Sequence, residues 1–236
     1  MNQFRKVVIL TGAGISAESG LSTFRDADGL WENHRIEDVA TVEAFDRDPQ
    51  LVHQFYNARR AAAKIAQPNA AHLTLATIEP LFDSFLLVTQ NVDNLHQRAG
   101  SENLIAMHGQ LNESRCVSCH EIRLIDGDLS TDSVCPQCHK SACLRPNIVW
   151  FGEMPLQLDT IMAALMDCDL FVAIGTSGNV YPAAGFVEIA KQQGAHTVLL
   201  NLESPAGGSQ FSEEFLGSAA ATVPEYFLNK LALKQN

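Results

Sequence analysis

Positive charge is scarce: 16 Lys and Arg stand against 27 Asp and Glu, a formal net charge of −11 over 236 residues. A nucleic-acid surface needs clustered cations to displace counterions from phosphates, so that class of partner is excluded. Long hydrophobic runs are missing as well. No apolar stretch approaches membrane-spanning length, and we expect no membrane partner. No charged n-region, apolar h-region or cleavage site precedes the first apolar run at Lys6, so no secretory address is expected. Internal repeats and low-complexity linkers are lacking too. The chain is long enough to bury a sizeable core and suits one main domain plus a small module.

Cysteine is sparse, but it is organised. Cys116-x-x-Cys119 and Cys135-x-x-Cys138 form two pairs at the spacing that brings both sulfurs of a tight turn to one metal. Together they predict a four-cysteine zinc ribbon, and four thiolates leave no open position, so the zinc is structural. The alternative is four unrelated thiols or two redox pairs. Cys143 and Cys168 lie among apolar residues and read as buried free thiols. Reduced thiolates and no secretory address point to a cytoplasmic protein.

Apolar, β-rich runs recur at residues 6–10, 85–89, 105–108, 148–151, 170–174 and 197–201, with a short seventh near 221–223. Several do not alternate, as expected of parallel strands covered on both faces. Helical stretches fit between them, notably 69–79, 156–166 and 182–193. The fold class is α/β: a Rossmann-like doubly wound parallel sheet. Residues 1–30, 68–112 and 145–236 would form it. A helical insertion (31–67) and the zinc module (113–144) would make a smaller domain beside a cleft.

The first strand runs into Gly12-Ala13-Gly14-Ile15-Ser16-Ala17, a G-x-G-x-x-A pattern. Glycines there let backbone approach a pyrophosphate at the start of a helix. An acidic ribose ligand is normally expected about twenty residues on. The loop from Ser22 to Trp31 is too polar for the strand that would carry it, so this is no ordinary dehydrogenase half. Glu203, after Asn201 and Leu202, either accepts from ribose hydroxyls or is a solvated loop carboxylate. Polar clusters mark other strand ends: Thr89-Gln90-Asn91-Val92-Asp93, His108-Gly109 and Gly175-Thr176-Ser177. His108 suits a general base by its titration range, although a lone histidine is commonly structural. Asp93 is either a carboxylate partner or a cap for the helix that starts near Asn94.

Taken in order, these motifs resemble those of the sirtuins: Gly12 to Ser16, Phe24-Arg25, Gln90 to Asp93, His108-Gly109, the four cysteines, Val149-Trp150-Phe151-Gly152-Glu153, Gly175 to Ser177 and Asn201 to Glu203. The resemblance covers nearly the whole chain. It implies NAD-dependent removal of acyl groups from protein lysines, with NAD consumed as co-substrate; a monomer is expected. Gly12, Ala13, Gly14 and Ala17 would approach the pyrophosphate, with Ser16 and Arg25 near phosphates and ribose; Phe24 and Trp31 would also bind the cofactor. Gln90, Asn91, Val92 and Asp93 would shape the nicotinamide pocket, Asn91 and Asp93 acting in catalysis. The substrate's acyl oxygen would attack the anomeric carbon. His108 would then draw a proton through the ribose hydroxyls, and the acyl group would leave as O-acyl-ADP-ribose. Gly175, Thr176, Ser177, Asn201, Leu202, Glu203 and Ala219 would hold the adenosine end. Val149, Trp150, Phe151, Gly152 and Glu153 would bind substrate, the 149–152 segment pairing with its backbone by β-augmentation.

The insertion bears on acyl preference. Tyr56 and Arg59 are three apart on a helical stretch and share a face, whereas Arg60 should point elsewhere. A guanidinium fork with a phenol hydroxyl suits a succinyl or malonyl carboxylate. Tyr-x-x-Arg at this place resembles the bacterial sirtuins that also accept acidic acyl groups; the residues alone favour a solvent-facing pair, and the resemblance reverses that reading. Asn94 and Asn147 depart from the commonest family pattern, away from the catalytic groups. Two other activities stay open: mono-ADP-ribosyl transfer, and a non-catalytic NAD- or partner-binding zinc adaptor.

Overall fold

The computed structural model describes residues 3–22, 30–31, 34–178, 180–205 and 209–233. Its strands are β1 Lys6–Thr11, β2 Leu30–Trp31, β3 His34–Arg35, β4 Ser84–Thr89, β5 Leu104–Ala106, β6 Gly109–Cys116, β7 Ile122–Leu124, β8 Leu144–Ile148, β9 Leu170–Ile174, β10 His196–Asn201 and β11 Glu213–Leu216. Its α-helices are α1 Ile36–Val39, α2 Val42–Arg47, α3 Pro49–Ile65, α4 Ala70–Ile78, α5 Leu95–Ala99, α6 Leu158–Asp167, α7 Phe186–Gln192 and α8 Ala219–Pro224, the last continuing as a π-helix over Glu225–Lys230. Six strands form one parallel sheet in the order β11-β10-β9-β1-β4-β5. The chain leaves β1 toward β4 on one side and returns to β9 on the other. The order therefore reverses at β1 and β9, where open α/β sheets hold ligands at the strands' C-terminal ends.

Alternate residues of β1 feed opposite layers. Val7 and Ile9 pack with Leu75, Val172, Val223 and Tyr226, and Val8 and Leu10 pack with Ile161, Leu165, Phe171 and Phe186. Each fully buried aliphatic side chain in these layers contributes roughly 1.5–3 kcal/mol. A third core joins α1, α2 and α3 to Val92, Leu111, Ile148 and Trp150, and a fourth surrounds the cysteines. The strands of the cysteine module form a separate antiparallel sheet, β7-β6-β8. Helix α3 starts where Asp48 accepts from the Leu51 N–H and Pro49 needs no partner, two signals visible in the sequence.

Two strand expectations are corrected. Residues 221–223 are helical: the run Ala219-Ala-Ala-Thr222 favours helix over strand, and the last strand is instead β11, a glutamate-bearing edge with no apolar run to reveal it. The strand expected at 148–151 is instead Leu144–Ile148: Val149 and Phe151 bond to His108 and Ala40 of other segments, and Glu153 closes a turn onto Trp150. Among the described residues, no helix is long and apolar enough to cross a membrane.

Candidate active site

At the end of β1 the backbone closes on β9. Gly14 N–H donates to the Gly175 carbonyl at 2.8 Å, and Gly12 N–H to that of Ile174 at 3.0 Å. Gly175 has φ +58°, and a Cβ there would lie 2.5 Å from the Ile15 nitrogen. Only glycine fits this crossing. In place of the helix expected after the loop there are two short 3-10 turns, Ala13–Ile15 and Ala17–Ser19. Beside the loop, Gln90 Nε2 donates to Thr176 Oγ1 at 3.0 Å, and Asn201 Nδ2 donates to the Thr176 carbonyl at 3.3 Å and to that of Glu203 at 3.0 Å. Gly12, Ala13, Gly14, Gln90, Gly175, Thr176 and Asn201 thus share one crevice floor. Ala219 is buried at the start of α8, and the next N–H, of Ala220, donates to Glu18. Ala17, Leu202 and Glu203 are exposed. Phe24 and Arg25 lie outside the described residues.

Deeper in, the polar side chains bond mainly to one another. Ser16 Oγ donates to Asp93 Oδ2 at 3.0 Å and accepts from Asn91 Nδ2 at 3.1 Å. Asp93 Oδ1 accepts from the Leu95 N–H at 3.0 Å. Each Asp93 oxygen therefore has a donor: Ser16 holds one, and the first N–H of α5, after the Asn94 cap, holds the other. Burial raises its pKa, opposed by the Leu95 and Ser16 hydrogen bonds and by Arg59 and Arg98. Ser16 thus faces this carboxylate and the Asn91 amide. Two histidines unremarked in the sequence stand behind it. His72 Nδ1 accepts from Asn69 N–H at 3.3 Å, which leaves the neutral ring's proton on Nε2, 3.5 Å from Ser16 Oγ. His96 Nε2 is 3.0 Å from Thr11 Oγ1, and the two rings lie 4.8 Å apart. Burial drives the pKa of His72 down to about 4 and that of His96 well below its usual value. The Asn69-x-x-His72 capping box was the available sequence signal.

His108 sits at the rim, half-buried. Its Nδ1 is 3.0 Å from the Gln90 carbonyl, which can only accept, so Nδ1 carries the proton and Nε2 keeps its lone pair. Burial lowers its pKa, against the Gln90 bond. The next residue, Gly109 at φ +81°, lies so close to the Asn147 carbonyl that a Cβ would overlap it.

The proposed substrate segment is braced internally. N–H groups of Val149, Trp150 and Phe151 donate to the His108 carbonyl, the Glu153 carboxylate and the Ala40 carbonyl at 2.9, 2.8 and 3.0 Å. Glu153 also takes two bonds from Arg145 at 2.8 Å and one from Arg115 at 3.2 Å. It is a latch for this turn, and Gly152 lies exposed at its tip. Phe151 is exposed; Trp150 is buried with Arg145 Cζ 3.4 Å from its ring centre. Trp150 Nε1 donates to Tyr56 Oη at 2.9 Å, and Tyr56 is wholly buried between Phe55 and Trp150. Burial raises its pKa, so the phenol stays neutral. Arg59 places Cζ 4.2 Å from the Trp31 ring centre, so Trp31 packs against this helix. Arg60 points away and donates through Nε to the Leu111 carbonyl at 2.6 Å. Asn147 is buried and donates to Glu113 at 2.7 Å.

The four cysteine sulfurs lie within 4.8 Å of one another. Cys116–Cys138 and Cys119–Cys135 are each 3.7 Å apart. A tetrahedron with Zn–S bonds of about 2.3 Å needs sulfurs about 3.8 Å apart, and these two pairs match it, so the set is placed to hold zinc. N–H groups of Ser118 and Cys119 point at Cys116 Sγ from 3.4 Å, further favouring thiolate. Cys143 Sγ lies 3.5 Å from Cys116 Sγ, and Cys168 is buried far along the chain, its thiol pushed up to about 11 by burial.

A Sir2 family sequence profile matches residues 12–182. The NAD-dependent protein deacylase of Escherichia coli K12 is 58% identical over 229 residues, 96% of this chain and 82% of that protein. The protein of that name from Yersinia pestis is 55% identical over 223 residues, 93% of this chain and 80% of that one. Among solved structures, a Sir2 homologue–NAD complex superposes with TM-score 0.89 at 37% identity, over 98% of this chain and 91% of that one. A complex of Sir2 with a p53 peptide and NAD+ gives 0.83 at 28% identity, over 99% and 96%. The switch-point crevice, the closed cysteine cluster and these matches agree: the chain belongs to the Sir2 family.

Proposed function

We propose that this protein is an NAD-dependent protein lysine deacylase that removes acetyl groups and, through Tyr56 and Arg59, succinyl or malonyl groups. The observation that carries the reaction is His108, a neutral imidazole with its proton fixed on Nδ1 and Nε2 available at the crevice rim. The relatives' shared activity and the Sir2 homologue–NAD complex support NAD as the co-substrate. NAD supplies an ADP-ribosyl group that accepts the acyl oxygen as nicotinamide departs. The glycine crossing at Gly12, Gly14 and Gly175 lets backbone approach its pyrophosphate, and Thr176 and Asn201 lie toward its adenosine half. Asn91 and Asp93, oriented by Ser16, line the nicotinamide side. His108 takes the proton that frees a ribose hydroxyl for attack. The exposed Phe151 and Gly152 turn, braced by Glu153, meets the substrate backbone. Zinc holds the module that carries this turn and takes no chemical step.

The acidic-acyl reading rests on α3. Arg59 is close enough to Asp93 and Tyr56 for its charge to oppose the upward shift that burial gives both. The Tyr56 hydroxyl accepts from Trp150, which leaves its proton to donate. A carboxylate in this apolar surrounding needs both donors, because leaving one charge unpaired costs about 2–5 kcal/mol. We expect Arg59→Met to lower kcat/KM for a succinyl-lysine peptide by at least about 30-fold, with acetyl-lysine turnover changed far less. Equal losses on the two peptides would remove the acyl assignment and leave the deacylase.

A further inference from the structure

Helix α3 has two working faces. One carries Tyr56 and Arg59. The other, one residue along, carries Asn57, Arg60 and Lys64 and grips the cysteine module. The Asn57 amide closes a two-way bond with Leu129: Nδ2 donates to the carbonyl at 2.9 Å, and Oδ1 accepts from the N–H at 3.0 Å. Arg60 Nη1 donates to the same Oδ1 at 2.7 Å and so fixes which way the amide faces. Lys64 meets Asp126 at 2.7 Å, an exposed pair of small weight. The Leu129 side chain belongs to the buried cluster of Cys116, Cys135 and Cys143. One residue therefore joins the metal thiolates, through its side chain, to α3, through its backbone.

Tyr56 directly precedes Asn57, and Arg59 directly precedes Arg60. Any turn or slide of α3 that loosens the grip moves the acyl pair by a comparable amount. A bidentate contact to a carboxylate tolerates only about 0.5 Å of error. A small neutral acyl group makes no such demand. We propose that Asn57 and Arg60 are positioning residues for acyl recognition: the cysteine module, acting through Leu129, sets where Arg59 lies over Trp31. The inference rests on the acidic-acyl reading above. It makes acyl choice depend on a contact that touches neither acyl group nor NAD.

The test compares zinc-loaded wild type, Asn57→Ala, Asn57→Asp and Arg59→Met on matched succinyl-lysine and acetyl-lysine peptides, with zinc content and melting measured on each. In Asn57→Ala we expect wild-type zinc content, KM for the succinyl peptide raised about tenfold with kcat nearly kept, and KM for the acetyl peptide within about twofold. Aspartate still accepts from the Leu129 N–H and Arg60 but sets its second oxygen against the Leu129 carbonyl, so Asn57→Asp should recover only part of the succinyl KM. Should the alanine variant lose zinc, Arg60→Lys, which frees the Asn57 amide but keeps a donor, is read in the same way. Equal shifts on both peptides, or none, while Arg59→Met remains selective would overturn this inference alone. An Arg59→Met variant that does not discriminate would overturn the acyl pair and this inference together.

Discussion

The cysteine cluster and the crevice beside β1 are both polar sites held in buried surroundings, yet they are finished to different degrees. In the cluster each sulfur has a tetrahedral place and no coordination position is left over. In the crevice, Ser16, Asn91 and Asp93 satisfy one another, while His108 keeps an unprotonated nitrogen at the edge. Saturation makes a strut; a single open group on a saturated support makes a reactive centre. The contrast explains why we place the chemistry on the crevice although the cluster has the more reactive atoms.

The hardest blow to this contrast is to remove the open group. His108→Ala should lower turnover by about 10²–10⁴-fold with zinc content and melting unchanged. A variant with normal turnover would show that the crevice needs no base. Burial lowers the His108 pKa below its ordinary 6.5, so wild-type kcat/KM should hold through pH 6.5 and fall only at lower pH. Breaking the strut should do the reverse. In Cys135→Ser zinc should be lost and stability should fall by about 3 kcal/mol or more, seen by metal analysis and thermal melting. Full metal content with unchanged melting would contradict a structural site.

The support of the crevice should be sensitive to acid. His72 has a folded-state pKa of about 4 against 6.5 ordinarily, so the native protein binds fewer protons than the unfolded chain between those values. Its contribution is complete above pH 6.5 and is lost as the pH falls toward 4, by at most about 3 kcal/mol. In denaturant titrations His72→Gln should flatten stability over that window; an unchanged slope would assign the effect elsewhere, His96 first. The smallest expected change comes from Ser16→Ala, which leaves an Asp93 oxygen without its donor, at about 1–3 kcal/mol. We expect kcat to fall about 10- to 100-fold with zinc content intact.

How far each region can be read from the sequence follows from how it is built. The cysteines lie within one short stretch, and their spacing alone specifies the tetrahedron. The parallel sheet is legible because β1, β4, β9 and β10 are uninterrupted apolar runs. The crevice gathers Ser16, Asn69, His72, Asp93 and His96 from the ends of separate elements. The sheet order brings them together, and no local pattern records that order. His72 and His96 stay hidden for this reason. Helical spacing puts Tyr56 on the right face of α3, but its complete burial under Trp150 depends on a contact across 94 positions. The bracing role of Glu153 stays hidden because its partners Arg115 and Arg145 carry no motif of their own.

The most direct test is mass spectrometry of acetyl-lysine and succinyl-lysine peptides incubated with the purified protein, with and without NAD. The account predicts NAD-dependent loss of both groups, with nicotinamide and O-acyl-ADP-ribose formed together. Intact peptides, or ADP-ribose attached to the peptide with the acyl group retained, would contradict it.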